Sequence, residues 1–273
     1  MTTITAPSTT LTPTFTAREQ TLLTAANDAV AVAGRNLIAY RRVPQLLVFA
    51  TIQPVIFVLM FRYVFGGAIR VPGLRYVDFL MPGIFVQTVV FGAMAAAIGL
   101  ATDLQSGLLE RFRSLPMARS AVLAGRTLAD LVRNVFVAAL MALVGFAVGF
   151  RVHTNAVAFL GGMLLVLIFG YTFAWIFATV GLVVGDPEAA QAASFPVMAP
   201  LVFASSAFVP VRSMPGWLQA FAAHQPVSVT ASAVRALFVG GPTTSFVIQS
   251  LAWSIGILAV FVPLAVRRYR RSV

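Results

Sequence analysis

The chain has 273 residues, of which 59% are apolar and only 10% charged, with a mean hydropathy of +0.92. These values exclude a soluble domain of this length and point to a protein embedded in a bilayer. Basic residues outnumber acidic ones 19 to 8, but every one is Arg and most flank apolar runs, which argues against nucleic acid as a partner; with no Cys, disulfides and thiolate chemistry are excluded.

Residues 1–16 are rich in Thr and Pro and read as a disordered tail. Over 17–42, Leu22, Ala26, Val30, Ala33 and Leu37 recur at three and four residues, opposite Thr24, Asn27 and Arg35. The pattern fits an amphipathic helix on the inner leaflet, or a plain solvated leader helix. Uncharged apolar runs of about 20 residues cross a bilayer as helices. Six fall within 43–273: Val43 to Phe61, Phe79 to Thr102, Asn134 to Phe150, Ala156 to Gly185, Ala189 to Val211, and Ser245 to Val266. The first has no small-residue cleavage site after it, so the residues before it read as cytosolic sequence and not as a discarded leader. Asp186 as N-cap, Pro187 at the first helical position and Glu188 beside it mark the start of the fifth run, and Pro196 and Pro200 inside that run predict a kink.

The uncharged stretch Ser213 to Val234 invites a seventh crossing, but its breakers argue otherwise. Pro215 and Gly216 open one short piece that carries Trp217 and Phe221, His224-Gln225-Pro226 interrupts it, and a second piece bearing Arg235 runs to Phe238. Each has the length of a re-entrant or interfacial helix, so we read two half-helices dipping in from the outer face. Orientation follows from the arginines: with the N-terminus inside, thirteen lie on the cytoplasmic side, among them the five from Arg111 to Arg133, against five outside. Both termini are then cytoplasmic.

All eight carboxylates read as span ends or loops, leaving none at mid-membrane depth to couple transport to protons or sodium. His153 and His224 stand far apart in loops without metal-ligand spacing, and no phosphate-binding glycine loop occurs. The richest signal is the arginine-rich break from Asp103 to Arg133. From Gly107 to Leu115, Leu108, Leu109, Phe112 and Leu115 form an apolar stripe, Glu110, Arg111, Arg113 and Ser114 face away, and Pro116 stops the helix. This reads either as a docking helix for a cytosolic partner or as a loop that only orients the chain.

Several blocks appear in an order that resembles the permease subunits of ABC-2 type exporters, most closely the daunorubicin-resistance branch. They are Leu80-Met81-Pro82-Gly83 with Val86-Gln87-Thr88, Thr102-Asp103-Leu104, Gly107 to Pro116, Phe203 to Pro210, Met214 to Leu218, Gln225 to Ser228, and Ala233 to Leu237. The resemblance implies an all-α integral membrane fold in a bacterial plasma membrane. It has six transmembrane helices, an amphipathic elbow helix before the first, a coupling helix between the second and third, and two re-entrant half-helices between the fifth and sixth. It further implies two permease copies, self-paired or with a sister chain, and two cytosolic ATP-binding subunits that hold the ATP and Mg²⁺; no cofactor is expected on this chain. Carried over, Gly107, Leu108, Glu110, Arg111, Phe112, Arg113 and Leu115 form the ATPase contact, and Pro215, Trp217, Phe221, Pro226 and Arg235 belong to an outer gate.

The expected function is outward movement of a hydrophobic drug, secondary metabolite or lipid-like molecule. Phe85, Phe91, Met94, Phe195, Met198 and Phe203 are candidates for an apolar path, or simply packing and lipid-facing residues. The competing readings are a membrane-embedded enzyme acting on lipid, which would need an acid, His or Ser cluster, and a non-transporting scaffold or immunity protein.

Overall fold

The computed structural model describes Gly34 and residues 45–69, 71–107 and 119–272. The tail 1–16, all but one residue of the 17–42 amphipathic stretch, and residues 108–115 of the expected coupling helix lie outside the described residues. The architecture is all-α. Helix α1 (Gln45–Leu59) continues into a π-helical turn (Met60–Phe65); α2 (Tyr76–Gln105), α3 (Arg119–Ala147), α4 (Ala156–Val184) and α5 (Pro187–Phe203) follow. A 3₁₀ turn (Val211–Ser213), two short helices α6 (Gly216–His224) and α7 (Pro226–Val239), and α8 (Thr243–Ser272) complete the described chain. Among the described residues, α2, α3, α4 and α8 are long and apolar enough to cross a membrane, so the chain is a multi-pass membrane protein. The stretch from Gln45 to Phe65 gives about 30 Å of helix, and α5 about 25 Å.

Helix α2 is the hub: it packs most extensively on α4 and also meets α1, α3, α5 and α7. Every residue from Tyr76 to Val90 is buried, apolar side chains on all sides of the helix together with Asp78, Gln87 and Thr88. By contrast α8 leaves Ile248, Trp253, Ile255, Val260 and Leu264 exposed, the surface of a helix that faces lipid. Gly83 is where α2 meets the turn after α5. A Cβ at that position would stand 2.0 Å from the Ala207 carbonyl oxygen, so the contact is backbone on backbone.

Two of the spans read from the sequence end elsewhere in the structure. The third is helical from Arg119, not from Asn134, and carries Asp130 and Arg133 inside the helix, both buried. Asp130 is thus a carboxylate within a membrane-length helix, and Arg133 is no loop charge. Their mutual approach at i,i+3, 3.8 Å, lets the helix continue through both. The fifth span stops at Phe203 instead of reaching Val211, because the Leu201 carbonyl near its end is taken by the Gln225 side chain. Its start is as read: the Asp186 carboxylate accepts from Ala189 N at 2.8 Å, with Pro187 at the first turn.

Gly83→Ala is expected to cost ~2 kcal/mol or more, because the Ala207 backbone must move. Gly161→Ala, with nothing within 4 Å of its Cβ, should be neutral or slightly stabilising. Thermal midpoints of the two purified variants check the contrast.

Candidate functional site

A cavity of about 360 Å³ opens between α1, α2, α3 and α5. Helix α2 supplies Gln87, Thr88, Phe91, Gly92, Met94, Ala95 and Ile98, the spacing of one helical face. Across from it stand Arg133, Asn134 and Val137 of α3, Gln191 and Phe195 of α5, and Gln53 and Pro54 of α1. Helix α1 packs chiefly on α3 and helix α5 chiefly on α2, with no extensive contact between α1 and α5, which leaves the mouth of the cavity between them. The lining joins an apolar wall to a polar floor. Arg133 donates to the Gly92 carbonyl and approaches Asn134 Oδ1 at 3.4 Å. Gly92 permits this: a Cβ there would lie 2.8 Å from Asn134 Oδ1.

The path residues read from the sequence separate into three groups. Phe91, Met94 and Phe195 meet at the cavity. Phe203 stands beyond it, stacked on Phe208 at 5.9 Å; Phe208 stacks on Phe61 at 4.4 Å and on Phe57 at 5.9 Å, and Phe57 reaches Phe91 at 6.4 Å. A chain of rings thus leads from the cavity to the turn after α5. Phe85 and Met198 are enclosed in the core instead, Phe85 edge-on to Phe238 at 5.9 Å. The polar lining, Gln53, Gln87, Thr88, Arg133, Asn134 and Gln191, was not singled out as a site from sequence. Its available signal was the presence of amides inside or beside otherwise apolar runs.

At the Tyr76 end of α2, the turn 204–210 and helices α6 and α7 form a tightly hydrogen-bonded block. Gln225 serves two helices at once. Its Oε1 accepts from Val227 N at 3.0 Å, capping α7, and its Nε2 donates to Leu201 O at 2.8 Å, satisfying the end of α5. Ser206 N donates to Ser228 Oγ at 2.9 Å, and Thr230 meets Ser250 of α8 at 2.7 Å. Arg235 turns inward: it donates to Phe79 O at 3.1 Å and Ser206 O at 2.8 Å, with its guanidinium 3.8 Å from the centre of the Phe79 ring. Pro215 and Pro226 precede and open the two short helices, while Trp217 and Phe221 are exposed on α6. Nearby, the fully buried Asp78 binds Arg75 Nε at 2.8 Å and Arg151 N at 3.0 Å, with His153 Nε2 at 3.8 Å.

At the other end of α2, three helices are pinned together. Asp103 pairs with Arg126 of α3, and Gln105 donates to Asp186, the cap of α5, at 2.8 Å. Gly107 comes next with φ +66°, a left-handed residue that turns the chain out of the helix.

A cavity on the hub helix, a block of short helices at one end and a pinned joint at the other frame the comparison with known proteins. The family model for the ABC-2 type transporter matches residues 28–239. The chain belongs to the ABC-2 type transporter family. The daunorubicin resistance ABC transporter permease protein of Streptomyces coeruleorubidus is 38% identical over 238 residues, covering 87% of this chain and 84% of that protein. A probable doxorubicin resistance ABC transporter permease protein of Mycobacterium tuberculosis is 33% identical over 228 residues, 82% of this chain and 81% of the relative. A putative transport permease of Cyanophora paradoxa is 28% identical over 212 residues, 75% and 71% of the two chains. As an ABC-2 permease, the chain is the membrane component of an ABC exporter and has no ATPase activity of its own. This displaces the lipid-acting enzyme and the non-transporting scaffold.

Gln225→Ala should uncap α5 and α7 together and cost about 1–3 kcal/mol. Hydrogen exchange in the intact protein checks the location of the effect: protection should fall at 204–206 and 227–229 and persist across α4.

Proposed function

We propose that this chain pairs with a second copy or a sister permease and with two cytosolic ATP-binding subunits. Together they export a hydrophobic drug, secondary metabolite or lipid-like molecule across a bacterial plasma membrane. The observation that carries the reading is the cavity on α2, which joins an aromatic wall to polar groups within a family of transport permeases. The names of the relatives, permeases of daunorubicin and doxorubicin resistance, support a drug-like cargo.

In this reading the chain crosses the membrane six times, with α1 and its π turn as the first crossing and α5 as the fifth. Residues 17–42 form the elbow helix, and α6 and α7 are re-entrant half-helices at the outer face. The exposed aromatics Trp217 and Phe221 support an interfacial place for α6. Ile52 and Ile56 of α1 and Phe195 and Val197 of α5, exposed beside the cavity mouth, offer an apolar surface for the second permease. Gly107 to Leu115 docks on the ATP-binding subunit, with Phe112 as anchor and Glu110, Arg111 and Arg113 as polar contacts. Nucleotide-driven closure of the ATPases reaches the membrane through this segment. The Gln105 and Asp103 contacts at its root support that route. Arg235, held against α2 and the turn after α5, ties the outer half-helices to the hub.

Orientation is checked with single cysteines in the Cys-free chain: Pro72→Cys should react with an impermeant thiol reagent in intact cells, and Ser114→Cys only after lysis. The reverse pattern overturns the topology. Coupling is checked by reconstituting the permease with its ATP-binding subunit. Wild type should drive ATP-dependent efflux, whereas Phe112→Ala should lose ~2 kcal/mol of docking and most of the efflux while still inserting. Wild-type efflux in that variant removes the docking role, and absence of ATP-driven efflux in the wild-type complex removes the exporter reading.

A further inference from the structure

Helix α8 ends in Arg267-Arg268-Tyr269-Arg270-Arg271, four positive charges in five residues, and no acidic residue follows Glu188 anywhere in the chain. The structure shows which way this end faces. Trp253, Val260 and Leu264 are exposed and, at spacings of seven and four residues, share one stripe of the helix. Arg267 and Arg268 are exposed too, seven and eight residues beyond Val260, so the stripe runs on into them. The opposite side is held in the protein by Ala265 and Tyr269, 0% and 3% exposed and four residues apart. The two arginines therefore stand on the side of the helix that hydrocarbon covers one turn earlier.

Depth agrees with orientation. From Thr243 to Val266 the helix is uncharged and, at about 1.5 Å per residue, about 36 Å long, a little more than a hydrocarbon core of about 30 Å. Arg267 and Arg268 then emerge at the level of the lipid phosphates, where their stems can lie along the apolar stripe while the guanidiniums reach past it. A guanidinium fork takes phosphate oxygens two at a time. A protein partner fits this surface poorly, because one that covered the arginines from this side would have to displace lipid from Leu264. We propose that the Arg267 end of α8 is a binding site for an anionic phospholipid, its headgroup phosphate on Arg267 and Arg268 and an acyl chain along Leu264 and Val260. The site requires that α8 cross the bilayer; it does not depend on which end is cytoplasmic or on what the protein exports.

The test uses the full chain in phosphatidylcholine bilayers, with Leu264→Trp as a local reporter and brominated phospholipids, whose acyl chains quench an indole they touch. Fluorescence of the unsubstituted chain, from Trp175, Trp217 and Trp253, is subtracted. Brominated phosphatidylglycerol should quench the added indole in preference to brominated phosphatidylcholine, by about fivefold for each arginine engaged. Arg267→Gln with Arg268→Gln should abolish the preference, and Arg267→Lys with Arg268→Lys should keep most of it, since an ammonium retains the charge without the fork. Ile248→Trp, exposed near the other end of α8, should report no preference. Added salt should weaken the effect, inorganic phosphate no more than chloride at equal ionic strength. Equal quenching by the two lipids at position 264 would mean that the arginines only orient the chain, and overturns the proposal. A preference that survives the paired Gln substitution, is lost equally in the Lys pair, or is matched at position 248 overturns it as well. So does displacement by inorganic phosphate beyond its ionic strength, which would make this a site for the free ion.

Discussion

Hydrocarbon offers no hydrogen bonds, so a polar group carried below the membrane surface must find its partner within the protein. Much of this structure results from that constraint. Where the chain is helical the requirement is met locally, down to the hydroxyls of Thr172 and Thr179, which fold back onto their own helix. Where helix α5 ends at Phe203, the requirement passes to side chains. Gln225, Ser206, Ser228 and Arg235 meet it, and their bonds hold the 204–210 turn and α7 to the hub helix α2. The backbone contact at Gly83 completes this arrangement, since a side chain there would separate the two layers.

The same constraint sets the cavity apart. Its floor combines an arginine whose charge is answered by its own helix with Gln87 Oε1 and Thr88 Oγ1, which have no partner among the described residues. The two sides of α2 therefore differ: the face toward α4 is filled by apolar side chains, and the face toward the cavity carries the polar Gln87 and Thr88. The aromatic chain from Phe91 through Phe57 to Phe208 connects the cavity to the turn after α5.

Much of the fold was legible because its signals are local. Asp186-Pro187 marks a helix start by cap chemistry alone, and α6 and α7 were separable because His224-Gln225-Pro226 interrupts them; that Gln225 also caps α7 shows only in the structure. The boundary drawn at Asn134 failed because charge was taken as an edge, whereas Asp130 and Arg133 offset one another and travel inside the helix. The run to Val211 failed because apolarity does not distinguish a helix from a buried turn whose carbonyls are served from 24 residues away, as Leu201 is by Gln225. Phe91 and Phe85 looked equivalent in sequence, yet they are six residues apart on a helix apolar all round and so lie on different faces. Composition cannot rank such faces; only the neighbours can. The resemblance carried the family and its general plan, while the missing partners of Gln87 and Thr88 emerged only in three dimensions.

The joint at the far end of α2 has a mechanical consequence. Within the last turn of that helix, one residue holds α3 and another holds the cap of α5, and both lie immediately before the left-handed Gly107. A push on the chain beyond Gly107 is therefore shared among three helices, two of which reach to the cavity mouth and floor. For the coupling proposed above, such a linkage behaves as a rigid knuckle and not as a hinge: a stroke applied there moves the cavity walls more than it bends the root.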